Sequence, residues 1–238
     1  FTTDEVTKLS AYFEAQHHKI LVVQNTDQRQ GIPGRQTINV TTTNEQQNPQ
    51  YLIGAILGRW GNNIGAKLRG QYGLQNAGPI PREKFTIERQ AEWKEKHLVG
   101  YATLSNGYDE VTSSLTGSGN YADQIVIKDY ARHLIEQSLN KFRHDHQNDI
   151  IAYDADGLST YRNVIMTAFD TLDDQHLLAH DNDTGNPKRD VIMPDLDSIS
   201  DADYANRILR NIRISFRTVN QPEDFYFTLN ATLDGGLI

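Results

Sequence analysis

The sequence predicts an α+β (mixed α/β) fold in which helices flank a mixed β-sheet and a β-hairpin lies at the C-terminal end. Apolar residues recur at helical spacing in several segments, and short runs rich in β-branched residues lie between them. The two kinds of segment interleave, which favours one mixed layer over an all-β sandwich. For 238 residues we expect a single domain over residues 1–238, with a candidate subdivision near residues 78–98.

The first half of the chain begins with a helix signal. Thr2 and Glu5 have the spacing of a capping box, and Val6, Leu9 and Phe13 follow at helical intervals. Cap residues and glycines indicate where the later helices begin and end, and runs of β-branched residues indicate the strands. This half is predicted to contain helices at residues 2–16, 48–60 and 86–96 and strands at residues 20–24, 37–42 and 98–104.

The second half contains the longest predicted helix, over residues 121–142. Ile127, Ala131, Leu134 and Phe142 mark its apolar face. The turn Thr116-Gly-Ser-Gly119 precedes this helix, and we interpret it as a plain strand-to-helix turn. The other predicted elements of this half are strands at 108–115 and 190–193 and helices at 159–172 and 200–209.

A period-two pattern follows near the C-terminal end. Ile212–Val219 and Phe225–Leu233 each alternate apolar and polar residues, and a turn with Pro222 separates them. This pattern predicts an antiparallel hairpin with one buried face. The second strand either belongs to the domain's own sheet or pairs with the sheet of another copy, because an open strand edge exposes N–H and C=O groups. In the second case the docking side chains are Phe225, Phe227, Leu229 and Ala231.

The charge is unevenly distributed. The net charge is −8, and residues 149–203 contain 13 Asp against three Lys or Arg, a net of −10, so the remaining residues sum to +2. Such an acidic balance argues against nucleic acid as the main partner. The acidic loops are either simply solvated or meet a basic surface of another copy. The candidate basic contacts are Arg207, Arg210, Arg213 and Arg217, in a segment without acidic residues.

Several functional classes lack their sequence signals. The apolar runs are too short to span a bilayer, and the absence of Cys excludes disulfides and thiolate chemistry. No phosphate-binding loop and no G-x-S-x-G elbow occurs. His144 and His146 lack metal-ligand spacing, and the loops at Asp154 and Asp181 lack the Gly and Glu that a calcium loop needs at its sixth and twelfth positions. We therefore assign no catalytic, cofactor or metal residue.

The order of the elements and several short stretches resemble a known family. These stretches are Lys67-Leu68 with Gly70, Val99–Ala102, Gly117–Ile125, Asp129-Tyr130, Leu134–Gln137, Tyr153–Gly157, Asn206-Arg207 and Phe225–Ala231. Together they resemble the tail sheath family of contractile bacteriophages, in the branch often described only as a domain of unknown function. The resemblance covers residues from about Gly54 onward, and Leu9–Val23 fits more loosely. The extended N-terminal arm of the family is not recognised, so we expect it to be missing.

The resemblance implies a structural protein of the virion rather than an enzyme. Sheath subunits stack as rings around an inner tail tube, donate terminal strands to neighbouring subunits, and contract to drive the tube through the host envelope. The implied partners are other copies of the chain, the tube protein, the baseplate and the tail terminator, with assembly in the bacterial host cytoplasm. No cofactor, nucleic acid or membrane insertion is implied.

Two alternative hypotheses exist. One is another virion component, such as a tube or baseplate protein; tube proteins are mostly β, so the four longer predicted helices count against a tube protein. The other is an enzyme. A small soluble hydrolase would use a carboxylate or metal site near the Asp-rich loops. It predicts a deep cleft in which Asp or His groups converge with perturbed pKa values.

Overall fold

The computed structural model describes residues 2–16, 19–25, 31–42, 49–61, 63–74, 77–104 and 107–222. The helices in these ranges are α1 (Thr3–Gln16), α2 (Pro49–Trp60), α3 (Ile87–Glu95), α4 (Ala122–Asp145), α5 (Ala155–Asp174) and α6 (Asp201–Ala205). The strands are β1 (Leu21–Gln24), β2 (Thr37–Val40), β3 (Leu98–Val99), β4 (Tyr101–Thr103), β5 (Asp109–Val111), β6 (Arg189–Ile192) and β7 (Arg213–Phe216). Across these ranges, no helix has both the length and the apolar character that crossing a membrane requires.

A parallel sheet forms the centre of the N-terminal half. Its order is β1-β2-β3, with Leu21 opposite Thr37 and Asn39 opposite Leu98. Every residue of β2 is buried, as expected for the central strand of a covered parallel sheet. The apolar side of α2, including Leu52 and Ile56, belongs to the same core cluster as β2.

The capping box at the start of α1 is present. The backbone N–H of Thr2 donates to a Glu5 carboxylate oxygen at 2.8 Å, and the Glu5 N–H donates to the Thr2 hydroxyl at 3.3 Å. These hydrogen bonds to the Thr2 backbone and hydroxyl lower the pKa of Glu5. The predicted first helix is therefore confirmed together with the interaction that begins it.

A second core lies around Trp93, on α3. Trp93 is 1% exposed and its ring meets that of Phe85 with a centroid distance of 4.9 Å. The chain passes this ring at Gly100, where a Cβ atom would lie 2.3 Å from Trp93 Cζ3. Only glycine fits at this position. The predicted strand at 98–104 is divided here into β3, which pairs with β2, and β4, which belongs to another sheet. The strand β4 then pairs antiparallel with β5.

The C-terminal half is built on the antiparallel helix pair α4 and α5. Their facing sides, including Ile127 and Phe169, form a third core with Leu177 and Val191. The strands β6 and β7 pair antiparallel, with Arg189 opposite Phe216 and Ile192 opposite Arg213 in the register. They pack against this core, so the position of β7 depends on α5.

The predicted α+β class, with its helices, mixed strand pairing and C-terminal β pair, is confirmed. Two helix boundaries differ from the prediction by four residues. The helix predicted at 159–172 begins at Ala155, because Asp154 caps it by accepting the Gly157 N–H at 2.8 Å. The helix predicted at 200–209 ends at Ala205, because Arg207 takes a left-handed backbone conformation with φ 56°. The predicted strand at 225–233 lies outside the described residues.

Candidate assembly surface

One edge of β7 is not paired with any strand of the described residues. On its other edge β7 pairs with β6, and the pairing continues because the Arg217 N–H donates to the Lys188 carbonyl at 2.9 Å. The Val219 N–H donates to Leu177 and the Ala179 N–H to Arg217 on the same side. Because backbone groups alternate between the two edges of a strand, those of Ile214, Phe216 and Thr218 point the opposite way.

A cleft of about 550 Å³ lies along this unpaired edge. Its opposite wall is the first part of α4, with Gln124, Ile125 and Lys128, preceded by the N-cap residue Tyr121. Arg35 also lines the cleft. The unpaired backbone groups of β7 are thus bordered by a basic and partly apolar wall. Such a site suits an extended segment that adds to the β6–β7 pair as a further strand.

The side chains of β7 follow the predicted alternation. Ile212 and Phe216 pack against the third core, and the rings of Phe216 and Phe169 have centroids 5.4 Å apart. Arg213 and Ser215 are exposed. Ile214, on the apolar side of the pattern, is 37% exposed, so an apolar side chain remains open to solvent beside the cleft.

The four predicted contact arginines differ in their exposure and in their partners. Arg213 and Arg217 are exposed on and after β7. Arg210 donates through Nε to Asp203 at 2.9 Å, and this hydrogen bond lowers the pKa of the Asp203 carboxyl. Arg207 is exposed and lines another cleft, beside α4 and α5. Contacts of these arginines with another subunit stay a prediction.

The predicted docking side chains cannot be placed on this surface. Phe225, Phe227, Leu229 and Ala231 lie outside the described residues. The described chain approaches that segment at Pro222, whose carbonyl accepts a hydrogen bond from Lys67 Nζ at 3.1 Å. Within the described residues this edge of β7 has no strand partner, and the strand that occupies it stays a prediction.

The alternative hypothesis, a hydrolase site in the Asp-rich loops, gains no support from the described residues. Asp154 caps α5, and the Asp181 carboxylate accepts the backbone N–H groups of Asp183 and Thr184, each at 3.1 Å. Both loop aspartates thus bind their own backbone, as in ordinary turns. Across the described ranges, no three His, Asp or Glu side chains are grouped so that they hold a metal ion.

Glu110 and His180 have raised pKa values and do not line these clefts. Partial burial raises the pKa of Glu110 on β5, against the opposing charges of Arg69 and Lys67. The pKa of His180 is also raised, because its ring binds the Asp173 carboxylate at 2.6 Å and the Gly185 carbonyl at 2.8 Å. Neither Glu110 nor His180 lines the clefts beside β7 or α4, so they do not form one site.

Comparisons with known proteins find similarity in the fold and none in the sequence. No protein-family model and no curated protein sequence matches the chain. The fold is similar to that of a chain in the cryo-EM structure of the anti-feeding prophage (AFP) baseplate, 6-fold symmetrised, with a TM-score of 0.72 and 16% sequence identity. The similarity covers 97% of this chain and 65% of that chain, so this chain spans about two thirds of the length of that protein.

A second structure is more distant. It is the PVC sheath complex of an extracellular contractile injection system in the contracted state, with a TM-score of 0.48, 12% identity, and coverage of 78% of this chain and 50% of that chain. The AFP comparison shows that this chain shares its fold with a chain of that structure. The resemblance to contractile-tail proteins drawn from the sequence is thereby confirmed for the fold.

Proposed function

We propose that the chain is a structural subunit of a contractile phage tail sheath. It polymerises around an inner tail tube and, on contraction, drives the tube through the host envelope. The observation that carries this proposal is the shared fold with a chain of a 6-fold symmetrised baseplate over 97% of this chain. The partners are further copies, the tube protein, the baseplate and the tail terminator, and the protein is not an enzyme. The virion is its location after assembly in the bacterial cytoplasm.

The unpaired edge of β7 supports assembly by strand addition. A donated strand would bind the outward backbone groups of Ile214, Phe216 and Thr218 and fill the cleft against α4. We assign the donated strand to residues 225–233 of a neighbouring copy. Alternation along that strand places one set of side chains against the apolar face of the sheet. This set is Phe225, Phe227, Leu229 and Ala231.

Backbone hydrogen bonds then supply much of the affinity between the donated strand and β7. Charged side chains add specificity for the neighbouring copy. Arg213 and Arg217 are exposed beside the accepting edge, where they favour neighbours with an acidic surface. Residues 149–203, with a net charge of −10, provide such a surface on every copy. We treat residues 1–238 as one sheath-like domain in this assembly.

Truncation tests the donated strand. A variant of the full-length protein that lacks residues 225–238 is expected to form no tubes in electron microscopy, whereas the unmodified protein forms long striated tubes. Circular dichroism checks that the shortened protein stays folded. Tubes formed by the folded, shortened variant would show that this segment is not the donor.

A proline substitution tests the accepting edge separately. The N–H of Ile214 points away from β6, so Ile214→Pro removes a donor that only an added strand would use. We expect the variant to stay folded and to lose tube formation. Ile214→Val keeps the backbone donor and is the matched control, expected to assemble normally. Equal assembly of both variants would exclude strand addition at this edge.

A further inference from the structure

A second cleft, distinct from the β7 edge, lies where α4 ends and α5 begins. It encloses about 580 Å³. Its apolar floor is formed by Leu139, Leu158, Leu209 and Ile212, and Arg143 and Arg207 stand at its rim. We call it the arginine cleft. Arginines around an apolar floor are typical of protein-binding surfaces, in which Arg is enriched and other charged residues are depleted.

The two guanidinium groups have no acidic partner in the described part of the chain. Arg143 and Arg207 are both exposed, and neither occurs among the ion pairs of these residues. The one acidic residue that lines the cleft, Glu136, is bound to Arg132 at 2.8 Å. With respect to the described residues, the cleft therefore presents two positive charges that no ion pair compensates.

The backbone holds Arg207 in an uncommon conformation. Its φ of 56° is left-handed, a region that residues with a Cβ atom rarely occupy. Two hydrogen bonds fix this turn: the Arg207 N–H donates to Tyr204 at 3.2 Å and the Ile208 N–H donates to Asp203 at 2.9 Å. The turn ends α6 and directs the chain so that Arg207 and Leu209 both line the cleft.

Two exposed carboxylates lie at or near the opposite end of α5 and are likewise unpaired among the described residues. Asp174 is the last residue of α5, and Asp183 lies in the loop at residues 181–186. The last turn of α5 contains no basic residue, so Asp174 faces the negative end of the helix dipole, where a carboxylate is disfavoured. A cation from outside the chain would relieve that repulsion. We call these two carboxylates the acidic end.

The acidic end is held in a fixed shape. His180 binds Asp173 and Gly185 at 2.6 and 2.8 Å and so ties the loop to the end of α5. Asp181 accepts two backbone N–H groups inside the loop and pairs with Lys188 at 3.3 Å. A loop ordered in this way loses little conformational entropy when it binds.

The geometry points to a contact between copies. The 20 residues of α5 separate the acidic end from the arginine cleft by about 30 Å, so they cannot meet within one chain. We propose that the acidic end of one copy binds the arginine cleft of the next, with Asp174 and Asp183 opposite Arg143 and Arg207. A contact between two different patches is heterologous, and it builds rings or open helical assemblies. This inference rests on the proposed sheath function and specifies one of its interfaces.

Disulfide trapping tests the contact directly, because the chain contains no native cysteine. The full-length double variant Asp183→Cys with Arg207→Cys is oxidised and separated on a non-reducing gel. A head-to-tail contact gives a ladder of covalent oligomers. The matched control joins Asp183→Cys with Asn163→Cys, which is exposed in the middle of α5, and is expected to give no ladder. Equal products from both pairs would overturn the proposal.

Charge exchange separates a second copy from a small anion as the ligand. Replacing Arg143 and Arg207 by Glu is expected to weaken self-association at least tenfold in sedimentation experiments. Adding Asp174→Arg and Asp183→Arg to the same chain should restore it, because the charges are then exchanged across the interface. Two results would show that the acidic end is not the ligand. One is self-association of the four-residue variant that stays as weak as that of the Arg143→Glu, Arg207→Glu variant. The other is binding of inorganic phosphate to the cleft together with unchanged self-association of Asp183→Arg.

The two proposals fail in different ways. Tubes in electron microscopy without a disulfide ladder would contradict the arginine-cleft contact and leave the sheath function standing. A ladder and charge-dependent association without tubes would support the contact and contradict the sheath function.

Discussion

Loss of the Phe169 ring is expected to be one of the most damaging single changes to the C-terminal half. The ring is fully buried on α5 and meets Phe216 of β7 at a centroid distance of 5.4 Å. Replacing a buried Phe by Ala costs about 3–5 kcal/mol, because the transfer free energy is lost and a cavity remains. With an unfolding entropy of about 2.1 cal/mol/K per residue, the 238-residue chain would melt about 6–10 °C lower.

Thermal unfolding of Phe169→Ala followed by circular dichroism measures this loss. Phe169→Leu is the control, since it retains most of the apolar volume and should give a much smaller shift. A double-mutant cycle with Phe216→Ala isolates the ring contact, which is expected to contribute about 0.5–1.5 kcal/mol. A decrease of less than about 2 °C for Phe169→Ala would mean that α5 does not support β7 in the way described.

Two further predictions concern other parts of the chain. Hydrogen bonds to Asp173 and to the Gly185 carbonyl raise the pKa of His180. The contact therefore stabilises the fold below about pH 6.5, and this stabilisation is lost as the pH rises through the raised pKa. His180→Gln should lower the melting temperature at about pH 5.5 and have little effect on it at about pH 9. Gly100→Ala places a Cβ atom 2.3 Å from the buried Trp93 ring and should cost about 1–3 kcal/mol in denaturant unfolding, and an unchanged midpoint would contradict the close packing at that position.

Local signals in the sequence were sufficient for most elements. The cap residues Thr2, Thr86 and Ser200 each accept a backbone N–H at the start of the predicted helix. Asp154 is also a cap, but its helix was predicted to begin at Ser159, because the apolar stripe starts late. The cap type alone would have given the correct start, since Asp followed by a helical pattern is a helix-start signal.

Contacts between distant segments were not predictable in the same way. The strand at Ile212–Val219 was predicted next to residues 225–233, which lie outside the described residues. The structure shows that the earlier β6 occupies one of its edges. Sequence alternation identifies a strand and its faces but carries no information about which partner lies on each edge. Which edge of β7 no described strand occupies therefore follows only from the β6–β7 register.

The arginine cleft shows the same limit for side chains. The sequence indicated Arg207 as a contact residue because its segment lacks acidic residues, whereas Arg143 was not singled out. Arg143 lies on α4, within a sequence stretch that also contains Asp145 and Lys141. Arg143 lines the arginine cleft because α4, α5 and the segment after α6 meet in space. The left-handed backbone at Arg207 had no sequence signal, since Gly and Asn are the residues that commonly adopt it.

The two proposed contacts should respond differently to salt, and this difference bears on how an assembly changes state. Strand addition at β7 depends mainly on backbone hydrogen bonds and apolar burial, which ionic strength affects little. The contact of Arg143 and Arg207 with Asp174 and Asp183 is exposed, and charges of this kind are screened over about 10 Å at 0.1 M salt. Rising salt should therefore release the arginine cleft while strands remain joined. An assembly that keeps one interface while it exchanges the other can move between two packed states.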